Sequence, residues 1–250
     1  MIKLEKPIDI PQILIDKQKE WTDHLLQLVN KYGSYKSIPK DEKDSALKYY
    51  RHKDITEPLF NSSYEKCAFC EGMPKDSGNI EVEHFYPKSI YHDKAFEWLN
   101  FLPSCRKCND AKGNHDVGCE PILNPYDSDF DPIIHFEFNL ARLKGKTDIA
   151  KNTIEVCGLK SRLYDPYSKL IKVFCEYEQD LDEAIEELAT KDTERKKLNQ
   201  LRKISESIDR IEHLMKPTEK YSYFCMFMIT NSSVYLSAKE LLKEEYEEVS

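Results

Sequence analysis

Long apolar runs are missing from this sequence. Nowhere in its 250 residues do 18 apolar side chains follow one another, so no segment reads as a membrane-spanning helix. The opening MIKLEKPIDIPQIL lacks the basic-then-apolar layout and the small-residue cleavage site of a signal peptide. The expectation is a cytoplasmic protein with no membrane partner. An excess of positive charge is missing too. The formal net charge is -8, which excludes a chain that coats nucleic acid nonspecifically, because such binding depends on neutralised phosphates and released counterions. Any nucleic-acid contact must be local. There is no internal repeat and no low-complexity tract, and at 40% hydrophobic the composition is that of a folded chain, one large domain or two small ones.

What is present is mostly helical pattern around a compact non-helical centre. Ile13, Leu14, Trp21, Leu25, Leu28 and Val29 follow helical spacing from Gln12 to Lys31, with Gly33 placed as a C-terminal cap. A short helix is expected from Ser45 to Lys53 and another from Thr56. Ile80 and Val82 alternate with Glu81 and Glu83 as in a half-buried strand, which ends near His84 because Pro87 forbids a regular ladder. Asn109 to Lys112 can open a helix, and the Pro- and Asp-rich Glu120 to Pro132 reads as a connecting loop. Ile133 to Lys144 suggests a hairpin. Further helices are expected over Asp148 to Cys157, Tyr167 to about Ala189, Thr193 to Met215, and on both sides of Asn231. The fold class that follows is α+β, mostly α-helical. The expected parts are an N-terminal helical segment (1–55), a central core (56–125) and a mainly helical C-terminal part (126–250).

Eight cysteines in a cytoplasmic chain are poor candidates for a disulfide framework. Four of them form two C-x2-C knuckles, Cys67/Cys70 in YEKCAFCEGM and Cys105/Cys108 in PSCRKCNDAKGN. Each such turn sets two thiolates on one side of an ion, and two turns close a tetrahedral structural zinc site whatever lies between them. The interval exceeds the usual spacer of about 15 to 20 residues, so something with its own structure is inserted there. Cys119, Cys157, Cys175 and Cys225 are isolated and read as small core residues or, for Cys119, a loop thiol.

A structural zinc leaves unexplained an ordered series of polar groups: Glu83 and His84 at the strand end, Asn100 in WLNFLP, and Asn109 after the last cysteine. Phosphodiester hydrolysis needs a general base for water and a hard divalent cation to stabilise charge on the phosphate and leaving oxygen. A histidine supplies the first. Mg2+ keeps several waters and takes only one or two protein oxygens, so one carboxylate and one amide suffice for the second.

These residues, in KCAFCEG, IEVEHFYPKS and WLNFLPSCRKCNDAKGN, resemble the zinc-bearing HNH endonuclease motif, a ββα-metal finger, in its H-N-N form. The resemblance implies that His84 activates water, that Glu83 and Asn109 hold a catalytic Mg2+ or Mn2+, and that Asn100 braces the loop carrying the histidine. The acid before the histidine is Glu rather than the more familiar Asp. The opening segment, VEHFYPKS, ILNPYDSDFDP followed by IIHFEF, and NTIEVCGLKSRL are similar to the Septu-type anti-phage HNH nucleases, the PtuB-like proteins, over most of residues 1 to 165. That resemblance implies DNA as substrate and an ABC- or SMC-like ATPase as partner.

For DNA contact the candidates are Lys112 and the basic stretch containing Arg142, Lys144 and Lys146, whose other reading is a solvated charged surface. Glu176 to Glu187 and Glu244 to Glu248 are acidic runs, read as solvated helix faces. His92, His115 and His135 are read as surface or loop residues. Two other functions fit the same residues. A noncatalytic zinc module binding nucleic acid or protein would need the cysteines but not Glu83, His84 and Asn109 in register, and a stand-alone restriction-like HNH nuclease would keep the chemistry without the ATPase.

Overall fold

The computed structural model describes residues 1–76 and 78–248, with side chains to residue 245. The chain divides into two units, residues 1–137 with 143–160 and residues 138–142 with 161–250. The boundaries expected near residues 55 and 125 have no counterpart in this division, because the N-terminal helices share one hydrophobic core with the first strand and the segment before the second.

The first unit opens with α1 (Gln12–Tyr32), whose Leu14, Trp21, Leu25 and Leu28 form the buried stripe and whose end is set by Gly33 at φ 75°. Only glycine enters that left-handed region without steric cost. The next helix, α2, spans Lys40–Leu47 and passes into a 3-10 turn at Lys48–Arg51, not Ser45 to Lys53 as the apolar pattern suggested. Pro39 presets the entry, and Asp41 and Glu42 favour the positive end of the helix. In α3 (Lys53–Asn61) the ring of His52 accepts from the Asp54 amide, so the helix begins one turn before Thr56.

Strands β1 (Ile80–His84) and β2 (Phe101–Cys105) pair antiparallel, with Glu83 opposite Leu102 and His84 opposite Phe101. A proline at position 103 is tolerated because β2 is an edge, and its carbonyl accepts from the Ala68 amide at 2.8 Å, docking the first knuckle on the strand. Cys105 ends β2 and caps α4 (Arg106–Lys112), its sulfur accepting from the Cys108 amide at 3.4 Å. The unit continues with one helical turn, α5 (Pro132–His135), capped by the Asp131 side chain. This turn replaces the first part of the expected hairpin, whose strands are β3 (Phe136–Asn139) and β4 (Arg142–Gly145), residues 138–142 of it being counted with the second unit. Helix α6 (Asp148–Val156) follows, and α7 (Leu159–Arg162) is a single short turn.

The second unit is built on α8 (Tyr164–Leu188), α9 (Glu194–His213), α10 (Ser222–Thr230) and α11 (Ser233–Glu248). Phe174, Leu181, Ile204, Ile208, Ile211 and Ile229 form its core. Of the acidic run Glu244 to Glu248, the side chains from residue 246 lie outside the described residues. No helix among the described residues is long and apolar enough to cross a membrane.

Candidate metal centre and active site

The two knuckles meet. The sulfurs of Cys67, Cys70, Cys105 and Cys108 all lie within 4.8 Å of one another and all four residues are buried. Four sulfurs about 2.3 Å from a central ion sit roughly 3.8 Å apart, so the set fits tetrahedral zinc. Contacts from Cys108, Cys67 and Cys70 hold Cys105 far below the ordinary thiol range, and sharing a proton with Cys105 pushes Cys70 and Cys108 above it. A divalent cation would take the place of those shared protons. Among the described residues this is the one group of three or more His, Cys, Asp or Glu side chains arranged to hold a metal ion.

β1, β2 and α4 follow in chain order around the thiols, which is the arrangement of a ββα-metal finger. Helix α4 lies on the face of β1 that carries Glu81 and Glu83. The Asn109 amide donates to Glu81 Oε2 at 2.8 Å, and one turn on, Lys112 Nζ meets Glu83 Oε1 at 2.6 Å and the His84 carbonyl at 2.9 Å. The expected partners Glu83 and Asn109 therefore lie on one helix–strand face, and the carboxylate in contact with Asn109 is Glu81. Glu81 carried no signal beyond its place in the alternation.

Lys112 needs correction. It is 2% exposed and engaged by Glu83, so it cannot reach a phosphate; it neutralises a buried acid instead. Glu83 is 5% exposed, and its burial raises its pKa in spite of the neighbouring ammonium. Arg142, Lys144 and Lys146 are exposed, Lys146 donating to the Ile133 carbonyl at 2.9 Å.

His84 is also not the exposed strand-end imidazole that its place before a loop suggests. It is 2% exposed and wedged edge-on between the rings of Tyr50 and Phe101 at 4.8 and 5.3 Å. Its Nε2 lies 2.9 Å from the Ala95 carbonyl. A carbonyl only accepts, so Nε2 carries the proton and the lone pair is on Nδ1. That atom is buried and has no hydrogen-bond partner among the described residues. Burial, followed by the charge of Lys88, lowers the His84 pKa well below its ordinary value, so the ring is neutral.

The loop after His84 is fixed by Asn100. Its Oδ1 accepts from the Tyr86 amide at 2.7 Å, and its Nδ2 donates to the Tyr86 and Lys94 carbonyls at 3.0 and 2.9 Å. His92 adds to this by bonding the Lys88 carbonyl at 2.8 Å and stacking on Tyr35. Beside the finger lies a cavity of about 320 Å³ lined by Tyr50, Arg51, Thr56, Phe60, Ile80, Glu81, Val82 and Asn109. Tyr50 touches both this cavity and the His84 ring.

No family model matches the chain. Over 160 residues, 64% of this chain and 54% of the relative, it is 35% identical to Septu protein PtuB of Bacillus thuringiensis. It is 26% identical over 156 residues to Septu protein PtuB of Bacillus mycoides (strain KBAB4), covering 52% of that protein. It is also 26% identical over 95 residues, 29% of the relative, to Protein ea31 of Escherichia phage lambda. The chain is thus homologous to the Septu PtuB-like proteins, and it spans about half the length of the two PtuB relatives it matches.

Proposed function

We propose that this chain carries a metal-dependent HNH endonuclease site that hydrolyses DNA phosphodiesters, as the nuclease of a cytoplasmic, Septu-like antiviral defence system with an ABC- or SMC-like ATPase partner. The observation that carries the reading is the unengaged Nδ1 lone pair of a neutral, buried His84 on a strand whose Glu81 meets Asn109 and whose Glu83 meets Lys112. A buried acceptor without a donor is costly, and a base meant for a water proton is a reason to keep one.

In this reading His84 Nδ1 takes a proton from water as the water oxygen bonds to phosphorus and the bond to the 3′ oxygen breaks, the departing oxygen taking a proton from solvent, which gives 5′-phosphate and 3′-hydroxyl ends. The Ala95 carbonyl holds the ring in the tautomer that can accept, and the Asn100 bonds hold the loop. Asn109 and Glu83, with Glu81 beside Asn109, are the oxygens that would hold Mg2+ or Mn2+, which would stabilise charge on the phosphate and leaving group. Glu83 uses acceptor positions on Lys112 and on the His84 backbone and has further lone pairs for a cation. The four cysteines would hold a structural zinc, which would fix β2 and α4.

Plasmid cleavage by the purified chain with Mg2+ or Mn2+, alone and with an ATPase encoded beside it, tests the proposal. His84→Ala should lower the rate by about 10²- to 10⁴-fold; cleavage at the parent rate would refute His84 as the base. One observation favours a noncatalytic zinc module, namely that His84 is sealed from solvent. On that reading no metal supports cleavage, with or without the partner. Full activity of the isolated chain would instead support the stand-alone nuclease.

A further inference from the structure

Three cations act on His84: Lys88, Lys112 and Arg51. Lys112 is neutralised by Glu83. The other two have no carboxylate within ion-pair distance among the described residues. Both converge on one side chain, with the Arg51 guanidinium 5.1 Å and the Lys88 ammonium 5.6 Å from the centre of the Tyr50 ring. That ring lies edge-on to His84 at 4.8 Å and, with Arg51, lines the cavity that holds Glu81 and Asn109.

Lys88 is half-buried, and burial draws its pKa down. Its backbone is pinned by His92, and Asn100 fixes Tyr86 two residues earlier. The acid that acts on Lys88 is Glu83, which is already bound to Lys112, so a partly desolvated ammonium on a braced loop would gain from a further anion. Arg51 sits in the 3-10 turn after α2, far from Lys88 in sequence, so only the fold unites them. A planar guanidinium and a point ammonium around one ring suit an oxyanion with several acceptor oxygens.

We propose that Arg51 and Lys88 form a two-cation seat for one phosphodiester group, with Tyr50 as its floor, beside His84. The ligand class rests on the nuclease reading. The seat gives the finger a local basic site although the chain as a whole is acidic.

The test uses the full zinc-loaded chain and a short labelled DNA duplex without Mg2+ or Mn2+, titrated between about 50 and 200 mM salt. Arg51→Met/Lys88→Met should bind about tenfold more weakly or worse, and its log–log salt slope should fall by about 0.9, one phosphate contact. Arg51→Lys/Lys88→Arg should keep the slope. Zinc content and the denaturation midpoint from Trp21 and Trp98 fluorescence show that the variants fold. Parental affinity and slope in the double Met variant overturn the seat, as does a parent that binds no duplex at the lowest salt. If the parent cleaves with Mg2+ and the double Met variant matches its kcat/KM, the seat fails and the nuclease stands. If the parent binds through these residues but cleaves with no metal, the nuclease reading fails and the anion seat remains.

Discussion

Replacing Lys112 with Met tests the centre of the finger most sharply. Lys112 and Glu83 form a buried ion pair, with side chains 0% and 7% exposed and 2.6 Å between them. Removing one partner of such a pair costs about 3–5 kcal/mol, since the other charge is left desolvated and alone. The abandoned carboxylate has one escape, which is to bind a proton. From the ordinary glutamate value of 4.5, protonation at pH 7 costs about 1.4 kcal/mol for each of two and a half pH units, or about 3.4 kcal/mol. At pH 5 the same route costs about 0.7 kcal/mol. Loss of the donor to the His84 carbonyl adds about 1 kcal/mol at either pH.

Lys112→Met is therefore expected to lose about 4 kcal/mol at pH 7 and about 2 at pH 5. In the variant the folded Glu83 pKa lies above the unfolded one, so the native state binds more protons in that window and stability falls as pH rises. Denaturant titration of zinc-loaded protein measures this, because both tryptophans, Trp21 and Trp98, lie in the first unit and report its unfolding alone. Glu83→Gln/Lys112→Met should recover most of the loss at pH 7. A penalty equal at both pH values, or no recovery in the double variant, would refute the buried-pair argument.

Cys67→Ser or Cys105→Ser should lower zinc stoichiometry and unfold the centre, while Asn109→Ala keeps its zinc; metal analysis showing equal zinc loss from all three would remove the distinction between two metal sites. Asn100→Ala deletes three bonds to the Tyr86 and Lys94 backbone and should cost about 2–4 kcal/mol while leaving zinc in place, as read by denaturation and metal analysis. Because burial lowers the His84 pKa, the acid limb of kcat/KM should fall below the ordinary histidine value of 6.5; the same shift contributes stability present above about pH 6.5 and lost as pH falls through the lower folded value. An acid limb at or above 6.5 would contradict the buried base. The chain should copurify with an ATPase encoded beside it, and truncation after about Leu163 should lose the complex; size-exclusion of the co-expressed pair checks both.

The sequence by itself determined the parts that depend on near neighbours. A C-x2-C turn needs four consecutive residues, so both knuckles and the four-thiol cluster they form were legible. The alternation Ile80 to Glu83 placed a strand ending at His84, and the helical stripe of α1 with its glycine stop could be read within a residue. Period also put Glu81 and Glu83 on one face, but it could not say what covers that face. That depended on how α4 settles on β1, which the tertiary structure decided: Asn109 falls on Glu81, Lys112 falls on Glu83, and a lysine read as a DNA contact becomes buried. The burial of His84 was equally hidden, because its cover comes from Tyr50 and Phe101, residues whose only local signal is being aromatic. Arg51 and Lys88 look like ordinary surface charges in the sequence. Periodicity fixes which way a side chain faces, whereas its partner is fixed by packing between elements far apart in the chain, and burial, pKa and charge neutralisation all depend on the partner.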